Sequence, residues 1–221
     1  MRFIKHLTAI LALTCLSFTA AVGAESLEPV AGTHYKLIQP PQPTQIASKI
    51  EVVEVFWYGC PHCNDLEPIL KEWLSSKPED VLFRRVPAVF RDSWEPHAKA
   101  YYAAEALGVA DKVNGPIFDA IHKENKKLDD VNALSEVVAA QGVDKAKFKE
   151  AFEAFATKTK VVQGVDATKR YGVMGVPAMV VNGKYLVTAK TAGSNEAMLR
   201  VVSALVDKER KMVAPAKPAA K

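Results

Sequence analysis

Cys60 and Cys63, with only Pro61 and His62 between them, are the residues whose type and spacing point to covalent chemistry. The chain has 3 cysteines in all, the remaining one being Cys15. A bridge across two intervening residues closes so small a loop that it constrains the unfolded chain little. As a structural staple the pair would be poor, and reversible thiol–disulfide exchange is the chemistry that fits it. Metal binding is the competing use. One C-x-x-C supplies two ligands where structural zinc takes four, and His34, His97 and His122 are scattered along the chain. The expected metal complement is none.

The flanking residues decide how such a pair would react. Ile50 to Trp57 is rich in Val and Phe and has the length of a buried strand. From Pro61 to about Ser75 the pattern is helical, with Leu66, Ile69, Leu70, Trp73 and Leu74 on one face. Pro61 suits the first helical position, which makes Cys60 the N-cap, beside unpaired amides and the positive end of the helix dipole. Both favour thiolate over thiol. Cys63 falls on the same side one turn deeper, within bridging reach. The outer sulfur is expected to be exposed and the inner one shielded. His62 sets an imidazole beside the outer sulfur, able to donate to the thiolate or to place positive charge near it. Glu54 interrupts the apolar strand, and burying an unpaired carboxylate is costly. It reads equally as a solvated edge-strand acid or as a buried partner of the cysteines. Arg85 is the candidate basic partner, with Arg84 facing the other way.

Those residues need a scaffold, and the rest of the sequence describes one. His34 to Ile38 reads as an edge strand, followed by a surface connection through Pro40, Pro41 and Pro43. Val81 to Val86 is a second central strand, giving a strand–helix–strand parallel crossover. Pro68 lacks the amide the helical ladder needs and is expected to kink the helix. Helical periodicity then takes over, in Ala98–Leu107, Val113–Glu124, Val131–Gln141, Lys145–Thr157 and on to Tyr171. Phe148, Phe152 and Phe155 recur at helical spacing as core of that part. Strands return at Ala178–Val181 and Tyr185–Val187 around Asn182-Gly183, a hairpin signal, and a last helix runs from Asn195 to about Lys211. The fold class is α/β, a sheet domain interrupted by an all-helical insertion.

The first residues have another role. Arg2, Lys5 and His6 precede an uncharged apolar stretch, Leu7 to Ala21, which ends in Val22-Gly23-Ala24. This is the layout of a secretory signal peptide, too short for a stable membrane anchor. Residues 1–24, Cys15 included, are expected to be removed. The formal net charge is +4 and two of those positive charges leave with the peptide. So balanced a surface argues against nucleic-acid or strong membrane partners.

The CPHC tetrad after a buried strand, the helical insertion and Gly175-Val176-Pro177 together resemble the DsbA family of disulfide oxidoreductases. So do Ala106-Leu107-Gly108-Val109 with Asp111-Lys112-Val113, and Ala178-Met179 running into Val181-Asn182-Gly183-Lys184-Tyr185. The resemblance implies a thioredoxin-like fold made of residues 25–92 and 165–212 and a helical insertion over 93–164, and the Pro/Ala/Lys composition of 213–221 implies a disordered tail. It implies a periplasmic enzyme that gives its Cys60–Cys63 disulfide to newly secreted proteins, needs no other cofactor, works as a monomer and is re-oxidised by a membrane quinone reductase of the DsbB type. Val176-Pro177 would be the cis-proline loop beside the sulfurs, its backbone free to pair with an extended substrate segment. Glu54 would be a buried acid that moves protons to and from Cys63. A disulfide isomerase or reductase on the same fold, and a peptide-binding chaperone without redox chemistry, remain the alternatives.

Overall fold

The computed structural model describes residues 28–213. Residues 1–24, expected to be a signal peptide, and the tail beyond Val213 lie outside the described residues.

Five strands form one mixed sheet: β1 (Lys36–Leu37), β2 (Ile50–Phe56), β3 (Val81–Pro87), β4 (Ala178–Val181) and β5 (Tyr185–Thr188), in the order β1-β5-β4-β2-β3. β2 pairs parallel with β3 and antiparallel with β4, so it lies in the interior of the sheet. The connection from β2 to β3 is α1 (Pro61–Ser76), with Pro68 inside it. β4 and β5 form the expected hairpin, and Asn182 (φ 50°) and Gly183 (φ 64°) both adopt the left-handed conformation that a tight primed turn demands. Glu209 secures that turn from the last helix, accepting hydrogen bonds from Asn182 Nδ2, Lys184 Nζ and Tyr185 Oη.

Between β3 and β4 lie a 3-10 turn (Asp92–Trp94) and five helices: α2 (Glu95–Ala106), α3 (Ala110–His122), α4 (Val131–Ala139), α5 (Lys145–Glu153) and α6 (Phe155–Arg170). The periodicity over 145–157 reads as one helix. The chain instead breaks at Ala154, whose ψ of 142° is extended, and a new helix starts at Phe155. Phe155 consequently leaves the core: it is 84% exposed, while Phe148 and Phe152 stay buried. α6 runs unbroken through residues 164 and 165, where the sequence places the return to the sheet domain. A short α7 (Ala189–Ala192), capped by Thr188, precedes α8 (Asn195–Val213), which continues two residues past Lys211 to the end of the described chain.

Strand alternation sorts the core into layers. Val52, Met179 and Val181 pack with Leu66 and Leu70 of α1 and with Val202 and Leu205 of α8. Val53, Val55, Ala178 and Val180 face the opposite side with Tyr171 and Val173. A third cluster fills the insertion and reaches Phe56, Tyr58, Cys60 and Cys63. The cysteine pair therefore sits where the sheet domain and the helical insertion meet.

Candidate active site

β2 ends at Phe56 and the chain turns through Trp57, Tyr58 and Gly59, closed by a hydrogen bond from the Cys60 amide to the Trp57 carbonyl at 3.0 Å. The turn needs glycine at position 59. A Cβ there would lie 2.3 Å from Trp57 Cζ2, and the indole cannot easily retreat because it stacks on Trp94 with ring centroids 3.9 Å apart and an interplanar angle of 3°. Gly59→Ala is expected to cost about 1–3 kcal/mol through overpacking, seen as a melting temperature lowered by about 2–4 °C per kcal/mol. An unchanged melting temperature would mean that the indole moves aside freely.

Cys60 is the N-cap of α1 and Pro61 its first residue, in accord with the sequence. The expectation of an exposed outer sulfur is corrected. Cys60 is only 7% exposed and Cys63 is fully buried. Trp57 and Val176 pack against the core cluster that contains the pair, and the Cys60 thiol donates to the Val176 carbonyl at 3.5 Å. Both thiols are free, so the geometry is that of the dithiol form. Their acidities are driven apart. The Cys63 thiol, donating to Cys60, lowers the Cys60 pKa to about 6; the backbone amides of Cys63 and His62 and the charge of His62 act in the same direction, against burial. Burial, the hydrogen bond to Cys60 and the negative charges of Cys60 and Glu54 push Cys63 far upward. One sulfur is a ready thiolate and the other holds its proton.

His62 itself is open to solvent, its side chain 81% exposed and 3.8 Å from Asp65 Oδ2. Its contribution is an amide and a nearby charge rather than a bond from the ring to the sulfur. Asn195 Nδ2, at the start of α8, reaches the His62 carbonyl at 3.3 Å. The Val176–Pro177 peptide is cis, and the loop lines a groove of about 930 Å³ with His62, Met174, Thr191 and Asn195. His62, Val176 and Pro177 are thus gathered in one concave surface beside Cys60.

Beneath the pair lies an acid cluster. Glu54 is fully buried on an interior strand, which removes the solvated-edge alternative. Its Oε2 accepts from Arg85 Nε at 2.6 Å, the two residues being register partners across β2 and β3. Arg84 points the other way, to Glu51 and Tyr171. Burial raises the Glu54 pKa, and Arg85 opposes the shift. A second acid escaped the sequence reading: Glu67 takes Arg85 Nη2 at 3.0 Å and Asn114 Nδ2 at 3.0 Å. Burial and the Glu54 charge push it up to about 7. The signal was available, since Glu67 is four residues after Cys63 on the buried face of α1, between Leu66 and Leu70. Asn114, on a helix of the insertion, had no such signal. Three buried polar atoms of this region, Glu54 Oε1, Tyr58 Oη and Asn114 Oδ1, have no protein partner. Among the described residues, no three or more His, Cys, Asp or Glu side chains are grouped to hold a metal.

The sequence model of the DSBA-like thioredoxin domain matches residues 79–199. The thiol:disulfide interchange protein DsbA of Azotobacter vinelandii is 44% identical over 207 residues, covering 92% of this chain and 96% of the relative. That of Pseudomonas syringae pv. tomato is 41% identical over 197 residues, covering 89% and 92%. Among solved structures, Pseudomonas aeruginosa DsbA superposes with a TM-score of 0.81 at 40% identity, over 85% of this chain and 97% of that one. The oxidoreductase DsbA of Xylella fastidiosa gives 0.78 at 36% identity, over 83% and 98%. With the CPHC pair capping a helix at the end of β2, the cis-proline loop beside it and relatives alike over their whole length, the chain belongs to the DsbA-like thioredoxin-domain family.

Proposed function

We infer that this protein is a thiol:disulfide oxidoreductase that oxidises thiols in other proteins, with the Cys60–Cys63 pair as its redox centre and no external cofactor. The observation that carries the reading is the split acidity of the two sulfurs at the head of α1. In the oxidised enzyme a substrate thiolate attacks Cys60 Sγ, the Cys60–Cys63 bond breaks and Cys63 leaves, taking up the proton that its environment strongly favours. A second substrate thiolate then attacks the substrate sulfur of the mixed disulfide. The substrate disulfide forms, Cys60 departs as a thiolate, and two electrons have passed to the enzyme. A leaving thiol of low pKa departs faster and stabilises the reduced protein.

The size of that bias follows from the acidity. A Cys60 pKa of about 6 lies about 3 units below the ordinary value of 9.0, or about 4 kcal/mol, equivalent to about 90 mV for a two-electron couple. That direction favours an oxidase over a reductase or isomerase on the same fold. Redox chemistry in the named relatives disfavours a chaperone that only binds peptides.

Four further roles belong to the same reading. Val176 and Pro177 offer backbone and surface to an extended substrate segment; Pro61 fixes the turn; His62 favours the Cys60 thiolate; Glu54 exchanges protons with Cys63. Secretion by way of residues 1–24, a periplasmic location and reduced secreted proteins as substrates belong to the same reading. A membrane quinone reductase of the DsbB type would re-oxidise the pair, with the enzyme acting as a monomer. Residues 25–92 and 165–212 would be the thioredoxin-like domain and 93–164 the insertion, with α6 shared between them.

Titrating the reduced protein while following thiolate absorbance near 240 nm, together with equilibration against glutathione, tests the assignment. The absorbance is expected to vanish around pH 6 and the equilibrium to lie toward reduced enzyme. A midpoint at the ordinary thiol value, or a strongly reducing equilibrium, would overturn the oxidase reading.

A further inference from the structure

Three residues of α3 lie four apart along one stripe facing the redox turn and the first turns of α1, and each holds a different part of them. Asn114 donates to Glu67, one turn beyond Cys63, at 3.0 Å. The Phe118 ring meets Tyr58 edge-on with centroids 5.0 Å apart and also packs on Phe56. His122, the last residue of the helix, places Nε2 2.7 Å from the Tyr58 carbonyl oxygen. A carbonyl only accepts, so Nε2 carries the hydrogen and donates. The His122 ring is stacked along Phe118, with centroids 6.1 Å apart and planes 25° apart. The spacing 114, 118, 122 puts all three on one helical face.

Tyr58 is the place where this grip counts. Its side chain is fully buried and its carbonyl precedes Gly59 and Cys60, in the turn that decides where the Cys60 sulfur points relative to the first amides of α1. Glycine at position 59 leaves that turn without side-chain bracing of its own, because Trp57 occupies the space where a Cβ would lie. The turn must be held from outside. Asn114 holds the far side of the cysteine pair and His122 the near side, so a single helix of the insertion spans the CPHC tetrad like a splint.

We propose that His122 is a positioning residue for the redox centre: its hydrogen bond to the Tyr58 carbonyl, backed by Phe118 and Asn114 on the same stripe, fixes the turn that aims Cys60 at the amides of His62 and Cys63. The inserted helices would thereby take part in setting the chemistry of the pair as well as enclosing it. This rests on the oxidoreductase reading above. It assigns to His122, one of the histidines scattered in the sequence, a task that needs neither metal nor proton transfer.

Two substitutions separate the hydrogen bond from the packing. His122→Phe keeps a ring to stack on Phe118 and removes the donor. His122→Gln keeps an N–H able to reach the carbonyl and removes the ring. A hydrogen bond of this kind contributes a net effect equivalent to about a threefold to tenfold change in an equilibrium constant, of which the part felt by the thiolate appears as redox bias. His122→Phe is expected to raise the Cys60 titration midpoint by about half a unit or more and to shift the glutathione equilibrium about threefold or more toward oxidised enzyme. His122→Gln is expected to stay near wild type in both, whatever its melting temperature. Wild-type values for His122→Phe, or equal shifts in the two variants, would overturn the positioning role. If His122→Phe failed to accumulate, a shifted midpoint in His122→Gln would still refute the proposal and an unshifted one would support it. An ordinary thiol midpoint in the wild-type protein would instead remove the oxidoreductase reading on which the proposal stands.

Discussion

Cys60→Ser is expected to reduce the oxidative refolding of a reduced, unfolded protein to the uncatalysed rate, because no disulfide can form at residue 63 alone. Cys63→Ser should fail differently. It keeps a low-pKa thiolate at Cys60, which attacks a disulfide and is then held, since the resolving thiol is missing. The expected product is a mixed disulfide visible on a non-reducing gel and released by dithiothreitol. Substitutions at residue 63 also test the source of the acidity. The largest contribution to the lowered Cys60 pKa is the hydrogen bond donated by Cys63, and a serine hydroxyl can still donate whereas a methyl group cannot. The Cys60 midpoint in Cys63→Ala should therefore lie above that in Cys63→Ser, while Cys63→Ser stays well below an ordinary thiol. Equal midpoints would transfer the effect to the backbone amides of His62 and Cys63 and to the charge of His62. Residual catalysis by Cys60→Ser above background would mean that Cys63 reacts directly, which its full burial argues against.

What the sequence disclosed, and what it withheld, divides along the range of the interactions. Pro61 at the first helical position, the three-residue spacing of the cysteines and Asn182-Gly183 between two strands are local signals. Each reappears in the structure at the expected residues. The α/β class and the helical insertion followed from periodicity, which is also local. The exposure of Cys60 did not. It depends on the core cluster shared with the inserted helices and on Val176 from a loop 116 residues downstream of Cys60. Glu54 was ambiguous for the same reason: an acid in an apolar strand is an edge residue or a buried partner according to which strands flank it, and only the order β4-β2-β3 decides. The break at Ala154 was missed because an apolar repeat at helical spacing continues across it, and Phe155 keeps the period while leaving the core. Asn114 and His122 are ordinary polar residues of an amphipathic helix until α3 is laid against α1 and the redox turn.

Glu67→Gln is expected to flatten the pH dependence of stability, and the sign follows from the charges in the cluster. Two carboxylates, Glu54 and Glu67, share one guanidinium, Arg85. Burial, and after it the surplus negative charge that the cluster carries when both acids are ionised, raises Glu67 to about 7 in the folded protein against an ordinary value of 4.5. Between those values the native state keeps a proton that the unfolded chain has lost. Stability is then highest below about pH 4.5 and falls as pH rises through about 7. A difference of roughly 2.5 units is worth about 3 kcal/mol at most. A glutamine at residue 67 removes the surplus charge and leaves Glu54 and Arg85 as a one-to-one pair. The Asn114 amide can rotate so that its Oδ1, now without a partner, accepts from the new amide. Urea unfolding of the reduced proteins should give nearly equal stabilities at pH 4.5 and a variant more stable than wild type by about 1–3 kcal/mol at pH 8. The Cys60 titration cancels in that difference, because it enters both proteins alike. Arg85→Gln makes the opposite case, leaving two unpaired buried acids. It should cost about 3–5 kcal/mol at pH 8, and much less at pH 4.5 where protons replace the guanidinium. Parallel stability curves for wild type and Glu67→Gln would show that Glu67 carries no proton at neutral pH. A flattened curve with the Cys60 midpoint still near 6 would separate the two ends of α1's first turns: the acids under Cys63 govern what the fold tolerates, and the Cys63 thiol with the amides around Cys60 governs what it reacts with.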